Sequence, residues 1–205
     1  MKILALDSSA VSASAAVLDD DKVLGEFFIN TKQTHSQTLM PMVQQVLTQT
    51  KTSLEEMDLF AVSAGPGSFT GVRIGVACVK GMAFAQNKPC IGVSTLEAMA
   101  YPLSMLNGII CAVMDARCQQ VYHALFRVNG IEVERICDDC AVAISDLAES
   151  LKQYSNETIY LVGDGAKLCY ESEAFQPLQV RLVAEHLQYQ RAVGVAQCAA
   201  LHLKQ

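Results

Sequence analysis

The stretch Gly65-Pro66-Gly67-Ser68-Phe69-Thr70-Gly71 is the first candidate for chemistry. An apolar run, residues 59–64, enters it, and a helix-like run, residues 72–85, leaves it. Gly65 and Gly67 can take positive φ, and Pro66 fixes φ between them. Ser68 or Thr70 can cap the following helix by accepting its free N–H groups. Such a turn offers those N–H groups together with the positive end of a helix dipole, which suits an anion. A tight turn that binds nothing is the other reading. A Walker loop is excluded because no lysine follows the last glycine, and G-x-G-x-x-G because position 70 is threonine.

The cysteines and histidines are the next candidates. Cys137-Asp138-Asp139-Cys140 is a C-x-x-C, but a metal site needs two more ligands at suitable spacing and none is evident. The eight cysteines are scattered, mostly inside apolar runs, and read as reduced, buried, cytosolic thiols. His35 precedes the first predicted helix and can cap it or meet a partner. His123 lies in an alternating strand and reads as a packed residue. His186 and His202 sit in polar, helix-like context. No Ser-His-Asp triad is assignable from these positions.

The elements that must position these groups run in a regular order. Residues 3–7 form a β-prone run ending in Asp7, and residues 12–18 and 23–29 complete an antiparallel meander. Leu39, Met42, Val43, Val46 and Leu47 then recur at helical spacing, with Pro41 in the first turn if Thr38 is the cap and a kink there otherwise. Ser53-x-x-Glu56 and Ser94-x-x-Glu97 are capping boxes. A strand over 59–64, the glycine turn, a helix over 70–86 and a strand over 90–93 follow. After a linker at 102–108 the pattern restarts. Residues 109–115 end in Asp115, strands follow at 121–128 and 131–136, a helix at 145–153 and a strand at 158–162. Gly163-Asp164-Gly165-Ala166 is a second glycine turn before a helix. Asp7 thus matches Asp115 and the turn at Gly65 matches that at Gly163, a duplication of pattern rather than of identity. The last helix spans 191–203. Two halves are expected, 1–103 and 104–205, with that helix packing back on the first.

Composition narrows the function. With 51% apolar and 18% charged residues in 205, the chain can fill a core. Its net charge of −6 makes it a poor binder of nucleic acid by itself, so a partner would supply most of any RNA contact. Residues 2–7 are too short an apolar run for a secretory signal, and no segment reaches membrane-spanning length, so a cytoplasmic location is expected.

Two meander-plus-helix copies, each opening with strand-Asp, match the plan of the actin-like ATPase and sugar kinase superfamily, whose members pair two ribonuclease-H-like halves. The residues are more specific. Residues 1–9 (Met-Lys-Ile-Leu-Ala-Leu-Asp-Ser-Ser), His35-Ser36-Gln37-x-Leu39-x-Pro41, the turn run on through Val72-Arg73-Ile74-Gly75, Ile91-Gly92-Val93-Ser94-Thr95-Leu96, and Asp115-Ala116-Arg117 with Val121-Tyr122 closely resemble the TsaB (also called YeaZ) family. The likeness is close over residues 1–125 and looser beyond. Members of that family are accessory subunits of the bacterial machinery that makes threonylcarbamoyladenosine in tRNA. They usually continue past the last helix into a Pro-x-Tyr-Leu-Arg element, which residues up to 205 do not contain.

The resemblance implies an α/β fold of two mixed five-stranded sheets with helices and a scaffold role beside the catalytic relative TsaD. TsaD moves a threonylcarbamoyl group from its adenylate to tRNA adenosine. The metal-binding His-x-x-x-His of TsaD falls on Thr95 and Met99, so no metal and no catalytic residue is expected here. A vestigial nucleotide or anion site would use Asp7, Gly67, Ser68 and Thr70 in the first half, and Asp115, Arg117, Gly163 and Gly165 in the second. Asp7 could hold a hydrated Mg²⁺ or simply end its strand. Arg117, standing where superfamily members carry glycine, could reach an anion or make a surface salt bridge. ATP or ADP is expected, if at all, at the junction with partners. The partner surface would comprise His35, Leu39, Met42, Val43 and Val46 of the first helix, and Gly71, Arg73, Ile74, Gly75 and Cys78 of the second. In it the Leu39, Met42, Val46 stripe is expected as an exposed apolar patch, and the small side chains of the second helix either let a partner's backbone come close or pack on the sheet beneath. TsaD and the ATPase TsaE are the implied partners, with a homodimer through the same surface when alone, tRNA touched only indirectly, and no membrane. The alternative is an ATP-dependent kinase or ATPase of the same superfamily, working around Asp7, Asp115 and residues 163–166. A metallopeptidase is disfavoured by Thr95 and Met99.

Overall fold

The chain opens with three antiparallel strands, β1 (Lys2–Asp7), β2 (Ala13–Asp19) and β3 (Lys22–Ile29). In the computed structural model, which describes residues 1–130 and 132–204, helix α1 (His35–Thr50) leads to β4 (Leu59–Gly65), which lies parallel to β1. Helix α2 (Phe69–Gln86) and β5 (Cys90–Ser94) follow, β5 parallel to β4, and α3 (Thr95–Ala100) comes next. The five strands stand in the order β3-β2-β1-β4-β5. β1 is central and reads as a continuous apolar run because both its faces are covered. Leu4 and Leu6 join the core with Leu39, Val46 and Phe60 from α1 and β4. Ile3 and Ala5, on the opposite face by strand alternation, are also fully buried, and the last helix, α6 (Ala192–His202), packs against β1, β2 and β4.

The pattern recurs with β6 (Asn107–Arg117), β7 (Gln120–Asn129), β8 (Glu132–Arg135) and β9 (Cys140–Ala143). Then come α4 (Ile144–Leu151), β10 (Ile159–Val162), α5 (Ala166–Tyr170) and β11 (Val180–Leu182). This sheet has six strands, ordered β11-β10-β6-β7-β8 with β9 also pairing β7. The expected five-strand count is therefore corrected for this half. β8 pairs only the 126–129 end of β7, and β9 takes up its 120–123 end. Of the strand expected over 131–136, residue 131 lies outside the described residues.

Chain contacts divide the protein into one unit of Met1–Ala98 with Gln190–Gln205 and another of Met99–Tyr189. Local signals are met closely. Ser68 is the N-cap of α2, the Ser94 hydroxyl accepts the Glu97 N–H at 3.2 Å, and the Ser53 N–H donates to Glu56 at 2.8 Å. Pro41 is the exception: α1 starts at His35, so this proline lies inside the helix rather than in its first turn.

Candidate functional site

In the first unit the glycine turn is stitched to the turn that follows β1. Ser68 N–H donates to the Ser9 carbonyl at 2.6 Å, and the Ser68 hydroxyl accepts from Gly71 N–H at 3.3 Å. Ser8 Oγ donates to the Gly71 carbonyl at 2.9 Å. The approach is so close that a Cβ on Gly71 would stand 2.0 Å from the Ser8 carbonyl oxygen, and one on Gly67 2.4 Å from that of Ser9. Two N–H groups of the turn are therefore given to the protein itself, and Val72 N–H is given to the Ser68 carbonyl. Thr70 is exposed, and the Gly65–Pro66 peptide is cis.

Asp7 lies beneath this turn, 1% exposed. Its Oδ1 accepts from the Ser9 N–H and hydroxyl at 2.9 and 2.8 Å, and its Oδ2 accepts from the Ser63 hydroxyl. Burial pushes the Asp7 carboxyl above its ordinary range, against the pull of those three hydrogen bonds. A carboxylate enclosed in this way suits a strand-end turn acid better than a ligand for a hydrated cation. His35 sits alongside: its Nε2 donates to the Ala10 carbonyl at 2.7 Å, and its buried Nδ1 has no partner among the described residues.

The second unit repeats the construction with different exposure. Gly163 takes φ of +110°, and a Cβ there would stand 1.9 Å from the Val113 carbonyl oxygen. Gly165 abuts Met114 and Asp115 and donates its N–H to Val113 at 3.2 Å. Asp115 is exposed, unlike Asp7, and accepts the Arg117 N–H at 2.7 Å. Arg117, Cys118 and Gln119 all take positive φ, 67°, 51° and 58°. Arg117 thus holds a left-handed backbone that glycine adopts freely and a long side chain resists. Its side chain is exposed. The eight anion-site candidates fall into two sets, each assembled within its own unit.

The helix surfaces differ from expectation. Leu39, Met42, Val43 and Val46 are 0–4% exposed and belong to the core. The stripe expected as an exposed patch faces the sheet, because the apolar face of an amphipathic helix covers its own core first. Gly71 and Gly75 are buried as well, Gly75 against Ser8 and Val62. His35, Ile74 and Cys78 are half-buried and Arg73 is exposed. The outer face of α2 is represented among the expected interface residues by Arg73 alone. It carries Phe69, Arg73, Ala77, Gly81 and Phe84, with Phe69 69% and Phe84 89% exposed. Arg73 stacks its guanidinium 3.6 Å over the Phe69 ring. Arg73 and Lys80, seven residues apart and both exposed, are the available signal for this face.

Thr95 and Met99 are both buried, and the Thr95 hydroxyl has no partner among the described residues. Among those residues no group of three or more His, Cys, Asp or Glu could hold a metal ion, and no helix is long and apolar enough to cross a membrane.

Comparison with known proteins gives a consistent set of likenesses. Residues 22–200 match the family described as TsaD, tRNA N6-adenosine threonylcarbamoyltransferase. The tRNA threonylcarbamoyladenosine biosynthesis protein TsaB of Bacillus subtilis (strain 168) is 34% identical over 164 residues, covering 80% of this chain and 72% of that protein. The protein of the same name from Escherichia coli (strain K12) is 42% identical over 135 residues, covering 64% of this chain and 58% of that protein. Among solved structures, YeaZ from Pseudomonas aeruginosa superposes with a TM-score of 0.81 at 26% identity, over 99% of this chain and 92% of that one.

Proposed function

The chain belongs to the TsaB (YeaZ) family of tRNA threonylcarbamoyladenosine biosynthesis proteins, and we propose that it serves that pathway as a non-catalytic scaffold for a TsaD-type transferase. The observation that carries the reading is the outer face of α2. Two large aromatic rings are exposed there, Phe69 with Arg73 stacked on it, and Ala77, Lys80 and Gly81 lie between them, with open space where a Gly81 side chain would be. A lone soluble domain gains nothing from Phe84 at 89% exposure, whereas a partner helix laid across small residues between two rings buries both. The transferase is the fitting occupant because this chain is itself similar to the TsaD family over residues 22–200, which makes paired, like-folded halves a natural contact. Without the transferase, a second copy of the chain takes the same face. TsaE joins as the third component, and tRNA contacts fall to the transferase, in keeping with the net charge of −6.

The test is co-purification of the transferase with Phe84→Asp and with Ala77→Arg. Both positions are exposed, so the fold survives and binding falls by about tenfold or more. Undiminished recovery of the transferase with both variants overturns the docking face.

A further inference from the structure

Strand β7 carries a second group of reactive side chains that this role does not use. His123 and Cys140 are direct cross-strand neighbours on β7 and β9, and Cys140 Sγ lies 3.1 Å from His123 Nε2. Two residues along the same strand, the Leu125 N–H donates to Cys137 Sγ at 3.3 Å. Residues 123 and 125 are about 7 Å apart along β7, the first contact being to a side chain and the second to backbone. Both sulfurs of Cys137-Asp138-Asp139-Cys140 are therefore drawn toward one short stretch of strand. Arg135 braces the turn between them, its Nη1 donating to the Cys137 carbonyl at 3.3 Å and to Asp139 Oδ1 at 2.7 Å. Cys140 is exposed and Cys137 half-buried, and both are free thiols. His123 is 7% exposed, with Nδ1 unpartnered among the described residues. A cavity of about 320 Å³ opens beside His123 and Cys137, lined also by Val142, Asp146, Ser150 and Tyr154 among others, while Cys140 stands outside its lining.

We propose that Cys137 and Cys140 form a thiol–disulfide exchange site for small-molecule disulfides, with His123 as the proton acceptor for Cys140. The exposed Cys140 attacks first. Its proton passes to His123 Nε2, its sulfur bonds to one sulfur of the incoming disulfide, and the other sulfur leaves and takes the proton as a thiol. Cys137 then attacks Cys140 Sγ, expels the second thiol and closes the Cys137–Cys140 disulfide. Two protein thiols and one small disulfide become one protein disulfide and two small thiols, so hydrogens and electrons balance. The division of labour follows the surroundings. Burial holds His123 below its usual range against the pull of Asp139, which keeps the imidazole unprotonated at neutral pH but makes it a weaker base, so the transfer rests on the 3.1 Å contact of its Nε2 with Cys140 Sγ. Burial, with Cys137, Asp139 and Asp138 nearby, pushes the Cys140 thiol up, so it needs that acceptor. Burial raises Cys137 too, while the Leu125 N–H and the Arg135 charge oppose it and favour its thiolate in the closing step. The cavity offers room for the organic part of the attacked disulfide on the His123 and Cys137 side of the pair.

The test treats the full, reduced chain with oxidised glutathione, blocks the remaining thiols with iodoacetamide, and maps the peptides by mass spectrometry. The expected product is a Cys137–Cys140 bridge, lighter by two hydrogens and unalkylated. The exposed Cys90 and Cys118, by contrast, carry mixed disulfides. Cys137→Ser is expected to stop at a stable glutathione adduct on Cys140. His123→Asn is expected to slow modification of Cys140 by about tenfold, with circular dichroism confirming that the variant is folded. Recovery of Cys137 and Cys140 both alkylated while Cys118 has reacted overturns the site, as does a bridge from Cys137 to Cys111. An unchanged rate in folded His123→Asn overturns the role of His123.

Discussion

Glu26 on β3 holds Arg191, the residue before α6, across 165 positions of sequence. Arg191 Nε and Nη2 donate to Glu26 Oε2 at 3.0 and 2.6 Å. Glu26 Oε1 accepts the Val193 N–H at 3.4 Å, and the Ser14 hydroxyl accepts that of Ala192 at 2.7 Å. The first turn of α6 is thus capped by strands β2 and β3 rather than by its own sequence, and the carboxylate also suits the helix dipole. The Glu26 side chain is 9% exposed and that of Arg191 36%, so the pair is enclosed on the carboxylate side only. Glu26→Ala removes the carboxylate paired with Arg191 and the acceptor of the Val193 N–H, and is expected to cost about 2 kcal/mol in chemical denaturation. A loss below about 0.5 kcal/mol would place this pair with ordinary surface ion pairs.

The element order was legible because each strand run ends in a residue that stops it. Asp7, Gly65 and Gly163 mark the strand ends, and Ser68 and Ser94 mark helix starts. β9 was not legible. Its four residues, Cys140–Ala143, follow two acids and contain one β-branched side chain, and only the unpaired stretch of β7 makes them a strand. The α1 stripe gave the helix correctly, but an apolar stripe says only that something covers it. Here that is the sheet of its own unit. The buried state of Asp7 against the exposed state of Asp115 was beyond reach too, because it depends on Ser63, which stands 56 residues away from Asp7.

Asp7 should make stability depend on pH in a defined direction. Its folded carboxyl is raised above the ordinary value of 3.8 by burial. The folded state therefore holds the proton more tightly than the unfolded chain. Its contribution is fully present below 3.8 and is lost as pH rises through the folded value. Asp7→Asn keeps the shape, can accept from Ser9, and can donate to the Ser63 hydroxyl. Its thermal midpoint is expected to exceed that of the native chain at neutral pH, with the gap closing toward the acid end. A gap that stays constant, or widens on acidification, would contradict a raised carboxyl.

Two glycines on one helix should respond to alanine with opposite signs. At Gly71 the added Cβ would meet the Ser8 carbonyl oxygen at 2.0 Å, and backbone cannot swing aside as a flexible side chain can. Gly71→Ala is expected to cost about 2–4 kcal/mol, by prising the start of α2 from the turn after β1. At Gly81 nothing lies within 4 Å of the new Cβ. There alanine restricts the unfolded chain and improves helix propensity, so Gly81→Ala is expected to stabilise by about 0.5–1 kcal/mol. Thermal denaturation of the two variants beside the native chain reads both effects. Equal midpoints would mean that the start of α2 is not clamped to the β1 turn. The same Gly81→Ala chain, folded and more stable, also asks whether the open space on the outer face of α2 is used, because an added methyl there meets only what docks from outside.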